Sequence, residues 1–164
     1  MEQKEMIDLL RQVASGTMDV EQAALKLKEE PFEDLGFAKI DHHRAMRQGV
    51  AEVIYGEGKT PEQIFRIAEA MKEKGQKAVL ITRMNKESAI YVGEHLELQY
   101  DEVSRIGFIG EAPIKDGDGK IVVATGGTSD IPVAEEAART AETLGNEVVR
   151  LYDVGVAGVH RLLG

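Results

Sequence analysis

Two short segments carry the residue types that hold or handle an anion. The first is Ala124-Thr-Gly126-Gly127-Thr128-Ser129-Asp130, which follows the apolar run Ile121-Val-Val and precedes Ile131-Pro132-Val-Ala. The order is that of a short buried strand, a glycine-led turn and a helix with proline in its first turn. Such a turn aims backbone N–H groups and the positive end of a helix dipole at one spot, which suits a phosphate or carboxylate. Gly126 and Gly127 let backbone approach a ligand closely, and the hydroxyls of Thr128 and Ser129 add donors. Asp130 would repel a phosphate, so capping the helix or holding ribose hydroxyls is its better use. The same residues also make an ordinary tight turn with an aspartate cap, and the pattern leaves both readings open.

The second segment, Tyr152-Asp153-Val-Gly155-Val-Ala-Gly158-Val-His160-Arg161, follows a strand expected over 147–152. The C-terminal ends of adjacent parallel strands open onto one crevice, where ligands bind. Asp153, Gly155 and Gly158 would then lie beside Thr128–Asp130. His160 can move a proton near neutral pH, and Arg161 can meet a carboxylate. By itself this segment is an ordinary helix start; its interest comes from the neighbouring turn.

A third group joins Asp41-His42-His43-Arg44-Ala-Met-Arg47 to Gly56-Glu-Gly58-Lys59-Thr60. Arg44 and Arg47 share a face of a presumed helix and can clamp an anion. Lys59 and its glycines precede another helix start. Adjacent histidines on a helix point about 100° apart, so His42 and His43 suit buried polar contacts better than one metal ion. No metal site is assigned.

The elements that must position these residues follow from periodicity. Two amphipathic helices are expected over 1–30, the first carrying Met6, Ile7, Leu9, Leu10 and Val13 on one broad face and ending at Ser15-Gly16. Asp19 caps the second and Pro31 stops it. Short strands at 37–40 and 52–55 flank a helix over 41–48. Thr60-Pro61-Glu62-Gln63 starts a helix that closes at Gly75. Ala78–Thr82 is a central strand, Asn85 caps a helix to about Leu96, and two edge strands follow at 99–103 and 106–109. Lys115–Lys120, with two Asp-Gly turn signals, is the linker. The division is thus 1–114, a helical and small α/β domain; 115–120, a linker; and 121–164, a first βαβ portion. Ala134, Ala137, Ala138 and Ala141 give the last full helix a small-residue face. A lone βαβ unit cannot cover its own sheet, so this region is expected to dock on a partner or on the domain before it.

Composition sets the outer limits. With 164 residues, 43% of them apolar, the chain can bury a core. A net charge of −9 and a pI of about 5.0 argue against nonspecific nucleic-acid binding, which rests on Lys and Arg. Cysteine is absent, which rules out disulfides and thiolate chemistry within these residues. No apolar run reaches the roughly 20 residues of a membrane span and no signal pattern opens the chain, so a cytoplasmic protein is expected.

The run Phe32-Glu-Asp-Leu-Gly-Phe-Ala-Lys-Ile-Asp-His-His43-Arg44, continued by Glu52-Val-Ile-Tyr-Gly-Glu-Gly-Lys59-Thr-Pro-Glu-Gln, closely resembles the LarB family. So do Ala124-Thr-Gly-Gly-Thr-Ser-Asp130, Leu144-Gly-Asn-Glu and Tyr152–Arg161. The resemblance runs over the whole chain; it departs at Ala51, where proline is expected. It implies an incomplete PurE-like domain, Rossmann-like with a parallel sheet in three layers, after the N-terminal domain. It also implies a pyridinium-3,5-biscarboxylic acid mononucleotide synthase of nickel-pincer cofactor assembly. That enzyme carboxylates the ring of nicotinic acid adenine dinucleotide and hydrolyses its phosphoanhydride. The chemistry needs a cysteine thiolate to make the electron-poor ring nucleophilic, carbon dioxide or bicarbonate as co-substrate, and a divalent cation such as Mg2+ to offset phosphate charge.

Family members continue beyond the position of Gly164 and carry the cysteine there, so the resemblance implies a C-terminally truncated, inactive chain. Carried over, Ser129 and Asp130 contact the nucleotide sugar or phosphate, and His160 and Arg161 sit where PurE-like enzymes keep a His-Arg pair. His160 takes the proton-transfer role, and a homo-oligomer is expected. Two other functions stay open: a non-catalytic nucleotide-binding or interaction module, and a PurE-like aminoimidazole ribonucleotide carboxylase or mutase.

Overall fold

The computed structural model describes residues 3–27, 32–41, 44, 52–111, 114–155, 158 and 160, without the side chains of 3–5, 27 and 32. His42, His43, Arg47, Ala51, Pro31 and Arg161 fall outside them, as does all of the helix expected over 41–48 except Arg44, which is helical, and Asp41, which ends a strand instead. The chain forms two compact units, Met1–Glu52 and Val53–Gly164.

In the first unit, helix α1 (Gln3–Ala14) ends at Gly16, whose φ of +72° reverses the chain, and α2 (Val20–Leu27) packs back on it. Leu9 and Ala23 are buried, but Ile7, Leu10 and Leu25 stay exposed, so much of the apolar stripe is uncovered within the unit. Strand β1 (Phe32–Asp34) pairs antiparallel with β2 (Lys39–Asp41). The expected strand at 37–40 therefore lies slightly later. Its partner was missed because the sequence Phe-Glu-Asp carries no apolar alternation.

The second unit is built on a four-stranded mixed sheet in the order β3-β4-β6-β5, with β3 Val53–Tyr55, β4 Ala78–Thr82, β5 Leu98–Asp101 and β6 Ile106–Gly110. β3 runs parallel to β4, whereas β6 is antiparallel to both β4 and β5. Helix α3 (Pro61–Glu73) forms as its sequence demands. Thr60 Oγ1 accepts from the Gln63 N–H at 3.2 Å, and Gln63 Oε1 accepts from the Thr60 N–H at 3.0 Å. This reciprocal cap meets two of the N–H groups that a helix start leaves open. Helix α4 (Lys86–Gly93) is capped by Asn85, which accepts from the Ser88 N–H at 2.7 Å. It stops short of Leu96.

The core lies between these helices and the sheet. Ile64 and Met71 of α3, Val79 and Ile81 of β4, Val92 of α4 and Ile109 of β6 are at most 1% exposed. β5 is the expected edge strand, but β6 is not an edge. It lies between β4 and β5 with Ile106–Ile109 buried throughout, because a fully paired strand covered on both faces needs no polar alternation.

Beyond the 115–120 segment, β7 (Lys120–Ala124) and β8 (Glu147–Leu151) form a parallel pair connected by α5 (Ile131–Thr143). Ala134 and Ala138 are buried, while Ala137 is exposed. Period-two alternation puts Leu80 and its register partner Phe108 on the face of the mixed sheet opposite Val79 and Ile81. Phe108 faces a cavity of about 530 Å³ bounded by Arg139, Glu142 and Thr143 of α5. The βαβ unit therefore docks on the mixed sheet, as its lack of self-coverage demanded. The order of layers is α3 and α4, mixed sheet, α5, parallel pair.

β7 is not the buried strand its composition implied. Ile121 and Val122 are 41% and 56% exposed, and Leu151 at the end of β8 is 42% exposed. A two-stranded sheet has one helix on one face, and among the described residues nothing covers the other. No described helix is long and apolar enough to cross a membrane.

Replacing Phe108 with alanine should cost about 3–5 kcal/mol in urea unfolding. It should also speed tryptic cleavage at Lys115 and Lys120. Unchanged cleavage would show that α5 does not depend on the Leu80–Phe108 face.

Candidate functional site

Parallel pairing in register through Ala124 and Leu151 sends the chain out of β7 and β8 at the same end. Thr125 holds the two exits together. Its N–H donates to the Leu151 carbonyl at 3.0 Å, and its own carbonyl accepts from the Val154 N–H at 3.0 Å. Its hydroxyl oxygen accepts from the Asp153 N–H at 3.0 Å. Thr125 is 5% exposed, so these bonds are shielded from water. Asp153 adopts φ +58°, a left-handed conformation that turns its amide toward Thr125.

The glycines divide into two uses. A Cβ on Gly155 would fall 2.3 Å from the Gly126 carbonyl oxygen, so Gly155 is needed for the close approach of the two turns. Over Gly126 and Gly127 the space is open: an added Cβ would meet nothing nearer than Asp130 Oδ2 at 3.8 Å and Ser129 Oγ at 4.0 Å. The backbone there is accessible to a ligand. Thr128 and Ser129 form a single 3-10 turn with Asp130, are exposed, and have no hydrogen-bond partner for their hydroxyls among the described residues.

Asp130 stands where α5 begins, with helical backbone at φ −85°, but its side chain makes no capping bond to α5; its Oδ2 accepts instead from the N–H of Gly127, the residue before the 3-10 turn, at 3.1 Å. One amide of the turn is thereby spent and a negative charge sits at the start of α5. That arrangement favours the helix dipole and competes with an anionic ligand. Gly158 donates to the Gly155 carbonyl at 3.2 Å, and His160 is exposed.

An ion network fixes α5 against β8. Arg150 grips Glu135 at 2.9 and 3.1 Å and Glu142 at 2.6 and 3.1 Å, and the Tyr152 hydroxyl donates to Glu135 at 2.8 Å. The Arg150 hydrogen bonds hold the Glu142 carboxyl below its ordinary range against the opposing effect of burial. Arg150 is pushed up, chiefly by Glu142 and then Glu135. Burial, with help from the Glu135 bond, raises Tyr152. Arg139 extends the network across the layers, reaching Asp101 of β5 at 3.4 Å.

A second polar cluster lies at the C-terminal ends of β3 and β4, and nothing in the motifs signalled it. The Tyr55 hydroxyl donates to Glu57 Oε2 at 2.5 Å. Arg83 Nη1 donates to the same oxygen at 3.1 Å, Arg83 Nε donates to Glu136 of α5 at 3.2 Å, and the guanidinium sits 5.6 Å from the Tyr55 ring centroid. The bond to Glu57 raises Tyr55, while Tyr55 and then Arg83 lower Glu57. Arg83 and Arg105 both occupy left-handed backbone, at φ +50° and +56°. Arg105 Nη2 donates to the Arg83 carbonyl at 3.2 Å, and the Met84 N–H donates to the Arg105 carbonyl at 2.8 Å. No sequence signal marks these arginines, since left-handed backbone is invisible without the angles themselves.

Of the third sequence group, Arg44 belongs to the first unit, and Gly56, Gly58 and Lys59 to the second. Arg44 pairs with Glu52 at 3.2 Å, its Nε buried and without a partner among the described residues. Lys59 Nζ donates to the Tyr55 carbonyl at 2.8 Å. Gly56 serves backbone packing, since its N–H donates to the Thr82 carbonyl at 2.7 Å and a Cβ would lie 2.9 Å from that oxygen. Gly58, at φ +80°, completes the turn, and the Thr60–Gln63 cap engages the helix start an anion would have used. Among the described residues no three His, Asp or Glu side chains converge as metal ligands.

Residues 32–111 match a family described as the LarB/PurE-like N-terminal domain. Over 166 aligned residues the chain is 32% identical to an uncharacterized protein of Methanocaldococcus jannaschii, covering 97% of this chain and 65% of that protein. The chain spans about two thirds of the length of this relative.

Two substitutions check the construction of the site. Thr125→Val should cost about 1–3 kcal/mol, because the part-buried Asp153 N–H loses its bond to the buried Thr125 hydroxyl, and Thr125→Ser should recover most of it in urea unfolding. Glu142 has a folded pKa below its unfolded value. Its stabilisation is therefore present above the ordinary glutamate range and is lost as pH falls through the lowered value. Glu142→Gln should flatten the acid limb of a stability–pH curve, and an unchanged limb would remove the Arg150 pair from the account.

Proposed function

Since residues 32–111 place this chain in the LarB family, a carboxylase-related family, we propose that it supplies the N-terminal domain and half of the nucleotide crevice of a carboxylase-hydrolase. The substrate is nicotinic acid adenine dinucleotide, and the products are pyridinium-3,5-biscarboxylic acid mononucleotide and AMP for nickel-pincer cofactor synthesis. The observation that carries this reading is the side-by-side exit of β7 and β8, with accessible backbone at Gly126-Gly127 and uncommitted hydroxyls on Thr128 and Ser129.

Each residue has a task suited to its geometry. Thr128 and Ser129 donate to the ribose or phosphate oxygens. Asp130, already turned toward its own backbone, accepts from ribose hydroxyls and keeps phosphate off the Gly127 amide. Asp153, Gly155 and Gly158 shape the opposite wall. His160 moves the proton and Arg161 meets a carboxylate. The thiolate that the ring chemistry needs comes from outside these residues, since none of the 164 is cysteine. This chain by itself accordingly binds the dinucleotide without turning it over. Carbon dioxide or bicarbonate is the co-substrate. A divalent cation such as Mg2+ would offset the charge of the phosphoanhydride during its hydrolysis. The bare face of the parallel pair, with Val122 and Leu151, favours completion by further strands or by a second copy in a homo-oligomer. A cytoplasmic setting fits such a substrate.

Calorimetric titration with nicotinic acid adenine dinucleotide tests the proposal. Ser129→Ala should weaken binding about tenfold, equivalent to ~1.4 kcal/mol, with no turnover in either form. Binding that ignores Ser129, or no heat at millimolar ligand, would sink the crevice assignment. Turnover by these residues alone would refute the outside thiolate.

A further inference from the structure

We propose that Arg83 and Arg105 form an anion clamp through which the mixed sheet grips the phosphates of the ligand held at the Thr125–Asp130 crevice. The clamp rests on the crevice reading above and names the charge that the crevice lacks. Its described residues present Asp130 and Asp153 beside the hydroxyls, and Asp130 already engages the Gly127 amide. A doubly charged phosphoanhydride needs cations, and Arg83 and Arg105 lie on the neighbouring layer.

Position makes this workable. Arg83 bonds Glu136 at 3.2 Å, and Glu136 lies six residues beyond Asp130, about 9 Å along α5 at the α-helical rise. A dinucleotide seated on the turn before α5 spans such a distance. Both arginines follow or precede strands at the end of the mixed sheet where β3 and β4 finish in parallel, the end at which open α/β sheets take ligands.

Backbone conformation sets these arginines apart from ordinary surface charges. Each occupies left-handed space that a residue with a Cβ enters at a cost. The partners that Arg83 gains there, Glu57 and Glu136, are exposed ion pairs, which contribute little in water. Those carboxylates are easily exchanged for a phosphate. Arg105 commits one N–H to the Arg83 carbonyl, which couples the two residues, and its other N–H groups meet no acceptor among the described residues. Tyr55 lies against the Arg83 guanidinium and keeps it oriented.

Glycine substitution separates this role from a structural one. Arg105→Gly and Arg83→Gly should raise the melting temperature, since glycine accepts these angles freely. Calorimetric titration of inorganic pyrophosphate should show millimolar or tighter binding to the unsubstituted chain, weakening with added sodium chloride, and at least tenfold weaker binding to Arg105→Gly. A lowered melting temperature in both variants would mark the arginines as structural and overturn the clamp, as would pyrophosphate affinity that ignores them. Dinucleotide binding lost in Ser129→Ala but unchanged in Arg105→Gly would overturn the clamp and leave the crevice standing. Pyrophosphate binding through the arginines without dinucleotide binding would uphold the anion site and remove the crevice.

Discussion

Three hydrogen bonds on Thr125 hold the exits of β7 and β8 together, and the rest of the candidate site depends on them. Both Thr125 backbone groups and its hydroxyl are engaged by the strand or turn alongside, in a position shut off from water. A buried amide without an acceptor is costly, so the Asp153 turn has one place to sit. With that fixed, Gly155 can lie against the Gly126 carbonyl only because it has no Cβ. The open backbone at Gly126-Gly127 and the exposed hydroxyls of Thr128 and Ser129 follow directly in the chain. The site is therefore a property of a strand pair, and neither turn would form it alone.

α5 converts that local arrangement into part of a larger body. On one side Arg150 takes hold of Glu135 and Glu142, binding helix to strand. On the other, Glu136 and Arg139 reach Arg83 and Asp101 of the mixed sheet, above the Leu80–Phe108 face. The outer pairs, on the half-exposed Arg83 and Arg139, add little stability. Their effect is directional, setting which residues of the mixed sheet stand beside the crevice while apolar burial supplies the adhesion.

Much of this was legible beforehand. Thr60-Pro61-Glu62-Gln63 announced α3 because capping is a local interaction between residues three apart. Asn85 announced α4 for the same reason. Strand β4 could be read from five apolar or β-branched residues in a row. The neighbouring of Thr125–Asp130 and Tyr152–Gly158 followed from the rule that parallel strands end together. The weaker readings concerned environment. β6 looked like an edge and is central; β7 looked buried and has an open face. Apolar composition records what a strand can bury, and what actually covers it depends on neighbours distant in the chain.

Sequence alone therefore settled the local matters: the caps, the turn glycines, the alternation of strands and helices, the missing thiol, and the family resemblance over the motifs. Each depends on residues within a few positions of one another, or on mere presence or absence. Tertiary structure decided the rest. It selected Thr125, a residue of no obvious distinction, as the bond between two exits, and gave Gly155 a packing purpose. It also put Arg83 and Arg105 in left-handed backbone beside α5, residues that no motif had named. These outcomes turn on strand pairing and layer order, which bring together groups dozens of residues apart, and no local pattern of side chains encodes that distance.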